Sequence, residues 1–470
     1  MKFAHPLQLI RNKFFKDTLV LQISGMITVT TSFVSSASIA FLLGAHGMGL
    51  FAVAVTLQAA FYSLAHVGVV SATVSQLAAA SARELHEKVT LWLAFFVKVY
   101  LLFSSVMIAA GFFAMPALSR WWYGEDLGLE EAQRLGIWAW WLTWWILIDT
   151  PRAMAQVAFQ STRRMLGLAQ MDNAFELMRM FLVILGACIT GSPAGAVAGE
   201  IGGRVLGSFL ALQMYADARK DGSAWLPTFG EVLSRVPRTP IREGLRLAMR
   251  VGVIKSATNM VVTVLPRLLL GGTAGFAWVA YFHVAQRIMV LPQMLMQGVS
   301  RTVLPALAEK RGKHDFAGFK RLYWKSTLLA GASISGATLL VTALVQPVVA
   351  LTFPSDYAWP VFVCCAILTV GMIPSSFAIA QDPFYILTNR MKQNLAICLV
   401  GALVTVPANI YLVELDPERG AVWGQALYMA WVLVHFGYIA LYFRRSAHST
   451  EWEQGNAQPS SREPAPEPAK

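Results

Sequence analysis

Charged residues are scarce in this sequence. Asp, Glu, Lys and Arg make up 14% of its 470 residues, whereas a typical soluble domain carries about 25%. Hydrophobic residues make up 56% of the chain, and its mean hydropathy is +0.53. This balance excludes an ordinary soluble protein and predicts a polytopic membrane protein.

Cysteine is also rare, and its four copies lack the spacing of a metal-binding motif. Cys188, Cys364, Cys365 and Cys398 all fall inside apolar runs, where cysteine behaves as a small apolar residue. We therefore expect neither a metal site nor a cofactor. A cleavable signal is missing too, because the basic lead of residues 1–17 precedes a full-length apolar span without a small-residue cleavage motif.

Long apolar runs, in contrast, are abundant. Twelve of them are long enough to cross a hydrocarbon core of roughly 30 Å as helices, and an even number leaves both termini on one side. The segments on that side hold most of the Lys and Arg residues, whereas the opposite loops hold Arg120, Arg134 and Arg419. The positive-inside rule then predicts cytoplasmic termini, and we expect a multi-pass protein of the cell inner membrane. The net charge of +12 thus reflects topology, and we expect no nucleic-acid partner. The predicted spans are residues 19–43, 49–79, 90–114, 135–161, 174–190, 194–216, 246–270, 276–300, 326–352, 358–388, 393–413 and 421–443.

The two halves of the chain resemble each other at a constant offset of 231 residues. This repeat predicts an all-α fold of about twelve transmembrane helices, arranged as two pseudo-symmetric six-helix lobes around a central cavity. The aligned pairs are Gly44 with Gly275, Phe51 with Phe282, Val53 with Val284, Ala54 with Ala285, Thr28 with Asn259, Ser32 with Thr263 and Ser36 with Arg267.

The repeat also divides the chain into segments. We expect a cytoplasmic lead, an N-lobe, a cytoplasmic linker, a C-lobe and a cytoplasmic tail, at residues 1–18, 19–220, 221–245, 246–445 and 446–470. The tail is rich in Pro, Glu and Ser, so it is expected to be disordered.

Unpaired cations interrupt the two central spans. Lys255, Arg267 and Arg287 have no acidic residue within four positions, and a charge at the bilayer centre costs about 2.5–3.5 kcal/mol unless it faces water or protein. Helical spacing places Ser256, Asn259, Thr263 and Arg267 on one face. This face predicts a polar, cationic cavity that handles an anionic substrate. Further candidates are the cations Lys98 and Arg152 and the hydroxyls Thr28, Thr31 and Ser35, with snorkelling or helix packing as alternatives.

The fourth span combines an aromatic stripe with charges. Trp141, Trp145, Asp149 and Arg152 share one helical face, so the indoles are predicted to point inward. Trp141 and Trp145 are candidates for stacking on sugar rings, with ordinary interior packing as the alternative. Asp149 and Glu200 are candidates for ion coupling. Structural pairing is the alternative for Glu200, because Arg204 follows it at i,i+4.

A short motif in the eighth span carries a family resemblance. The run Ala280-Tyr281-Phe282-His283-Val284-Ala285-Gln286-Arg287-Ile288, with Pro292 and Leu304-Pro305 after it, resembles the G-x-Y-x-x-A-x-R-L pattern of the polysaccharide transporter (Wzx-type oligosaccharide flippase) family. That family is part of the multidrug/oligosaccharidyl-lipid/polysaccharide exporter superfamily. Gly49-Leu50-Phe51 and Gly68-Val69 look like its first-lobe signatures.

The resemblance implies a transporter rather than an enzyme. Its expected substrate is an undecaprenyl-diphosphate-linked oligosaccharide, such as a repeat unit of O-antigen, exopolysaccharide or capsule, which alternating access moves from the cytoplasmic to the periplasmic leaflet. Arg287 is the cation that matches the family motif. Membrane lipids, a glycan polymerase and the export machinery are the implied partners. A multidrug or ion antiporter of the same superfamily is the nearest alternative, and an integral-membrane glycan polymerase is a more distant one.

Overall fold

The computed structural model describes residues 13–65, 69–81, 85–162, 164–220, 226–242, 244–245, 256, 258–313 and 315–445. Every regular element in these ranges is helical. This follows from the solvent, because a chain in hydrocarbon must satisfy its backbone hydrogen bonds within each segment. Lys255, most of the predicted lead and the whole predicted tail lie outside the described residues.

Seven helices build the described part of the N-lobe. They are α1 Lys13–Ala65, α2 Val69–Ser81, α3 His86–Leu127, α4 Leu129–Ile148, α5 Thr150–Ser161, α6 Met165–Thr190 and α7 Pro193–Lys220. A short helix, α8 Phe229–Arg235, lies in the linker and begins with a capping box. In that box the Thr228 Oγ accepts from the Glu231 amide at 3.1 Å, and the Thr228 amide donates to the Glu231 carboxylate at 2.6 Å.

The described part of the C-lobe begins with a π-helical turn. Its elements are the π turn Met260–Val264, α9 Leu265–Thr273, α10 Phe276–Gly312, α11 Phe316–Thr352, α12 Ala358–Ser376, α13 Gln381–Leu387, α14 Met391–Leu415, α15 Gly420–Ala430 and α16 Val432–Arg445. A 3₁₀ turn, Phe377–Ala380, joins α12 to α13.

The passes across the membrane outnumber the uninterrupted helices. Among the described residues, eight helical stretches are long and apolar enough to span a bilayer by length and composition. One of them, Val20–Ser63, lies within α1, which breaks at Gly44 and so makes two passes. Short breaks likewise divide single passes, as between α4 and α5. The predicted all-α fold of about twelve transmembrane helices in two lobes is confirmed.

Two glycines mark the internal repeat. Gly44 has φ 66° and ψ 178°, and Gly275 has φ 86° and ψ 170°, a backbone conformation that L side chains rarely adopt. Both residues turn the chain between the first two passes of their lobe, at equivalent positions of the predicted repeat. Near this turn, a Cβ added to Gly49 would lie 1.8 Å from the Phe276 carbonyl oxygen. The absence of a side chain there allows the lobes to touch backbone to backbone.

The buried core is shared at one end of the molecule and divided at the other. We name the end with the turns at Gly44 and Gly275 the turn end, and the opposite end the linker end. The largest hydrophobic cluster draws on both lobes and lies toward the turn end. Among the described residues, the two clusters toward the linker end each belong to one lobe. The lobes are therefore packed together at the turn end and hold separate cores at the linker end.

Candidate functional site

Three hollows meet at Arg287 of α10. Its side chain lines a cavity of about 240 Å³, a second cavity of about 320 Å³ and an apolar groove of about 280 Å³. Within the described ranges its guanidinium has no hydrogen-bond or ion-pair partner, and its Nε is buried. Burying a charged group without a partner is costly. Arg287 is thus a cation whose charge the described protein does not balance.

The cavity of about 240 Å³, named here the N-lobe cavity, is lined mainly by α1, α4, α6 and α7. Two residues of α10, His283 and Arg287, close it from the other lobe. The imidazole Nδ1 of His283 is buried, with no hydrogen-bond partner in the described structure. The polar residues that the N-lobe contributes to this cavity are Ser32, Ser35, Ser36, Gln58, Tyr62, Trp145, Glu176, Arg179, Glu200 and Arg204.

The cavity of about 320 Å³, named the C-lobe cavity, has a different lining. It contains two arginines and three amides but no carboxylate among the described residues. Its polar members are Thr263, Arg267, Gln286, Arg287, Gln293 and Gln425, and its apolar members are Val262, Met289, Val290, Leu368, Met372 and Met429.

The apolar groove runs between the lobes, along α1, α10 and α11. Leu291, Leu344 and Val348 on its walls are 41%, 50% and 42% exposed, so the groove opens onto the outer, lipid-facing surface. Apart from Arg287 and Thr30, its lining is entirely apolar: Val29, Phe33, Ile288, Leu291, Val341, Leu344, Val345 and Val348. An apolar channel from the lipid thus ends at an arginine.

Arg267 is buried on α9 and has polar but uncharged partners. Its Nε donates to the Gln286 Oε1 at 2.7 Å, and its Nη1 donates to the Thr56 Oγ at 3.3 Å. Thr56 belongs to the N-lobe, so this arginine bridges the lobes. No described carboxylate lies within ion-pair distance of it. Two cations without described carboxylate partners, Arg267 and Arg287, therefore face the C-lobe cavity.

In the N-lobe, the buried arginines are paired with carboxylates. Arg152 holds both carboxylate oxygens of Asp149, at 2.6 and 2.9 Å, and contacts Asp172 at 3.2 Å. Asp172 was not among the predicted candidates, because the predicted fifth span began two residues after it. Its position four residues before Glu176, on the same helical face, is the signal in the sequence that marks it.

Glu200 lies at the centre of a second ion-pair group. Arg179 and Arg204 each donate to one of its oxygens at 2.8 Å, and Arg179 also holds Glu176 at 2.7 Å. The pairing of Glu200 with Arg204 was one of the two predicted alternatives. Both predicted ion-coupling candidates, Glu200 and Asp149, are thus held by arginines.

The two predicted stacking tryptophans differ in their surroundings. Trp145 lines the N-lobe cavity, but the Arg204 guanidinium lies 3.1 Å above its ring centroid and Tyr62 packs at 5.1 Å. One face of this indole is therefore already occupied by a cation–π contact. Trp141 is 50% exposed and contacts Trp140.

The predicted polar stripe of the seventh span divides into two parts. The Ser256 Oγ donates to the Ser63 carbonyl at 2.7 Å, and the Asn259 amide donates to the Ser63 Oγ at 2.5 Å, whereas Thr263 and Arg267 line the C-lobe cavity. The π turn Met260–Val264 begins directly after Asn259 and includes Thr263, and its wider winding changes the direction in which the following residues point. Ideal helical spacing therefore places these four residues on one face, whereas in the structure they lie in two different environments.

Two predicted cations lie away from the cavities. The Lys98 ammonium donates to the carbonyls of Pro237 and Thr239 at 2.9 and 2.8 Å, so it anchors the linker instead of lining a cavity. Arg152 is committed to Asp149 and Asp172. Of the predicted hydroxyls, Ser35 lines the N-lobe cavity, whereas Thr28 and Thr31 line none of the three hollows.

Sequence reasoning missed the amides. Gln58, Gln286, Gln293 and Gln425 line the two cavities, and the only signal they give is an uncharged polar residue inside an apolar span. His283 was noticed only as part of the motif. No cluster of metal-ligating side chains occurs within the described ranges.

The fold has known relatives among solved structures. An inward-facing multidrug resistance MATE family transporter of the MOP superfamily shares 16% identity, with a TM-score of 0.63, 92% of this chain covered and 96% of that one. A MATE transporter in the bent conformation also shares 16% identity, with a TM-score of 0.64 and coverage of 97% and 100%. A MOP superfamily transporter from Pyrococcus furiosus, described as having a binding pocket of reverse polarity, shares 15% identity, with a TM-score of 0.67 and coverage of 96% and 100%. Comparison with curated proteins gave no match.

A family match covers most of the chain. Residues 14–310 match the family described as Polysaccharide biosynthesis protein, which confirms the resemblance carried by the motif around Arg287. The fold is that of the MATE transporters compared above. This chain belongs to the polysaccharide biosynthesis protein family.

Proposed function

We propose that this protein moves a lipid-diphosphate-linked oligosaccharide from the cytoplasmic to the periplasmic leaflet of the inner membrane. The observation that carries the proposal is the position of Arg287, an arginine without a partner among the described residues, at the junction of an apolar groove and two polar cavities. The order of groove, arginine and cavity matches the order of lipid tail, anionic linkage and polar head in such a substrate.

The diphosphate is assigned to Arg287. Phosphate oxygens accept charge-assisted hydrogen bonds, and the planar guanidinium fork suits them better than a point charge does. Arg267 adds a second cation on the wall of the C-lobe cavity. Lys255, outside the described residues, remains a proposed third member of this cationic site.

The lipid tail is assigned to the apolar groove. The groove opens beside exposed Leu344 and Val348, so the tail need not leave apolar surroundings while the head group enters the protein. This arrangement avoids moving the long hydrocarbon through a polar cavity, which the hydrophobic effect would oppose.

Alternating access is supported by the divided core. Packing of both lobes at the turn end and separate cores at the linker end support two lobes that move as separate units at the linker end. By the positive-inside rule that end is cytoplasmic, as are both termini. When the two lobes rock, the space between them closes at one end and opens at the other, while the cationic site stays in place.

A drug antiporter is the competing function within the same superfamily. Cationic drugs call for free carboxylates in the cavity, but Glu176 and Glu200 are held by arginines. The C-lobe cavity has no described carboxylate. The electrostatics of both cavities therefore favour an anionic substrate.

The test compares two arginine variants in a strain that lacks the native gene. Arg287→Ala is expected to abolish surface glycan at normal protein levels, whereas Arg134→Ala, in the exposed ion pair with Glu130, is expected to leave it unchanged. Surface glycan is measured by immunoblot, and ethidium efflux is measured in parallel. Normal glycan in the Arg287 variant would reject the proposal, and loss of efflux instead of glycan would establish the drug function.

A further inference from the structure

Three amide side chains converge on the C-lobe cavity. Gln286 and Gln293 approach it from α10, and Gln425 approaches it from α15. Neutral amides carry both donors and acceptors. They therefore suit a ligand that is rich in hydroxyl groups rather than one that is simply charged.

One hydrogen-bond chain fixes the direction in which two of these amides point. Arg267 only donates, so the Gln286 group 2.7 Å from its Nε must be the carbonyl oxygen. The amide nitrogen of Gln286 then donates to the Gln425 Oε1 at 2.7 Å. The amide nitrogen of Gln425 is left as the end of the chain.

This terminal donor has no partner in the described protein. Gln425 is 6% exposed, and no described group accepts a hydrogen bond from its amide nitrogen. Gln293 is half-buried, and its amide has no described partner either. A buried amide that lines a cavity without protein partners is placed to bind a ligand oxygen.

We infer that the C-lobe cavity binds the sugar attached directly to the diphosphate, and that Gln425 and Gln293 recognise its oxygens. This inference rests on the proposed function, because Arg287 lines the same cavity and is assigned the diphosphate. The thioethers of Met289, Met372 and Met429 supply flexible apolar contacts for the C–H faces of the ring.

The N-lobe cavity is less suited to this role. The charged side chains that the N-lobe contributes to it pair with one another, and one face of Trp145 is covered by Arg204. It nevertheless supplies a matched control. Gln58 lines that cavity, and its amide nitrogen is buried without a described partner. The same residue type can therefore be removed from either cavity.

The test measures binding of four soluble probes, one without a sugar and three with one, to the purified full-length protein in detergent. The probes are farnesyl diphosphate and farnesyl-diphosphate-linked N-acetylglucosamine, glucose or galactose. Wild type is expected to bind at least one sugar-bearing probe about ten-fold more tightly than the sugar-free probe. Gln425→Leu and Gln293→Leu are expected to lose most of this ratio while keeping the affinity for farnesyl diphosphate, which also reports that the variants are folded. Gln58→Leu is expected to keep the ratio.

The outcomes separate this inference from the proposed function. Equal binding of all probes by wild type, or an unchanged ratio in both C-lobe variants, overturns the assignment of the sugar while the diphosphate site stands. A ratio lost only in Gln58→Leu places the sugar in the N-lobe cavity and also overturns it. Failure of wild type to bind any diphosphate probe overturns the proposed function together with this inference.

Discussion

In the N-lobe, Arg152, Arg179 and Arg204 each pair with a carboxylate, whereas in the C-lobe Arg267 and Arg287 have no carboxylate partner among the described residues. The two lobes share a fold and a repeat. The comparison separates two uses of a membrane-embedded arginine: one set holds helices together, and the other is left to meet a ligand.

The internal repeat makes this difference more specific. Thr56 is equivalent to Arg287, and Ser36 is equivalent to Arg267, at the same offset of 231 residues. Arg267 reaches across the lobe boundary to Thr56 at 3.3 Å, whereas the Ser36 hydroxyl donates to the Ser32 carbonyl within its own helix at 2.9 Å. One of two equivalent contacts between the lobes is thus formed, and Arg287 is left without a partner in the described part of the chain.

The largest expected effect comes from breaking the charge balance of the N-lobe. Glu200→Gln removes the charge shared by Arg179 and Arg204, and leaving buried cations without their partner costs about 3–5 kcal/mol. The thermal midpoint of the purified protein should fall steeply. Glu130→Gln, in an exposed pair with Arg134, is the control and should cost less than about 1 kcal/mol. Equal midpoints for the two variants would contradict a structural role for the N-lobe ion pairs.

The next effect tests the contact between the lobes. Gly49→Ala places a Cβ 1.8 Å from the Phe276 carbonyl oxygen, and relieving such a clash costs about 1–3 kcal/mol. The equivalent C-lobe residue is already alanine, Ala280. Gly336→Ala is the control, since nothing lies within 4 Å of its added Cβ. Thermal unfolding of both variants gives the comparison, and a stable Gly49 variant would disprove the close approach.

A third change makes the C-lobe resemble the N-lobe. Thr56→Asp brings a carboxylate to the position that already contacts Arg267 at 3.3 Å. We expect surface glycan export to fall by about ten-fold, because an internal anion competes with the substrate for the cation. Thr56→Asn, which is similar in size and uncharged, should retain most export. Similar export in both variants would show that export does not require Arg267 to be without a carboxylate partner.

The smallest effect is expected at the linker. Lys98→Met removes the hydrogen bonds to the carbonyls of Pro237 and Thr239 but leaves the apolar stem. The loss should be about 1–2 kcal/mol in stability, with export unchanged. Surface glycan export and the thermal midpoint are both measured for this variant. A strong export defect at normal stability would return Lys98 to the substrate site.

Much of the fold was predictable because the membrane imposes simple rules. Runs of twenty apolar residues must be helices, so the spans and the repeat marked by Gly44 and Gly275 followed from the sequence. Side-chain partners were harder to predict. Pairs at i,i+3 and i,i+4, such as Glu200 with Arg204, could be predicted because both residues lie on one helix. The pair of Arg179 with Glu200 joins two helices and could not be predicted from the sequence.

The candidate site shows the same limit. Arg287 was identified by its charge and its motif, whereas Gln425 carries no comparable signal and reaches the cavity because α15 packs against α9 and the π turn. The π turn at Met260–Val264 separated residues that ideal periodicity had placed together. Local deviations of this kind depend on the packing of neighbouring helices.

The sequence by itself determined the membrane-spanning helices, the two-lobe repeat and the presence of more buried cations than nearby acids, because hydrophobicity and charge are properties of the residues themselves. Only the tertiary structure decided which cations are balanced. Ion pairing falls off over a few ångströms, and those distances are set by how helices far apart in the chain pack against one another.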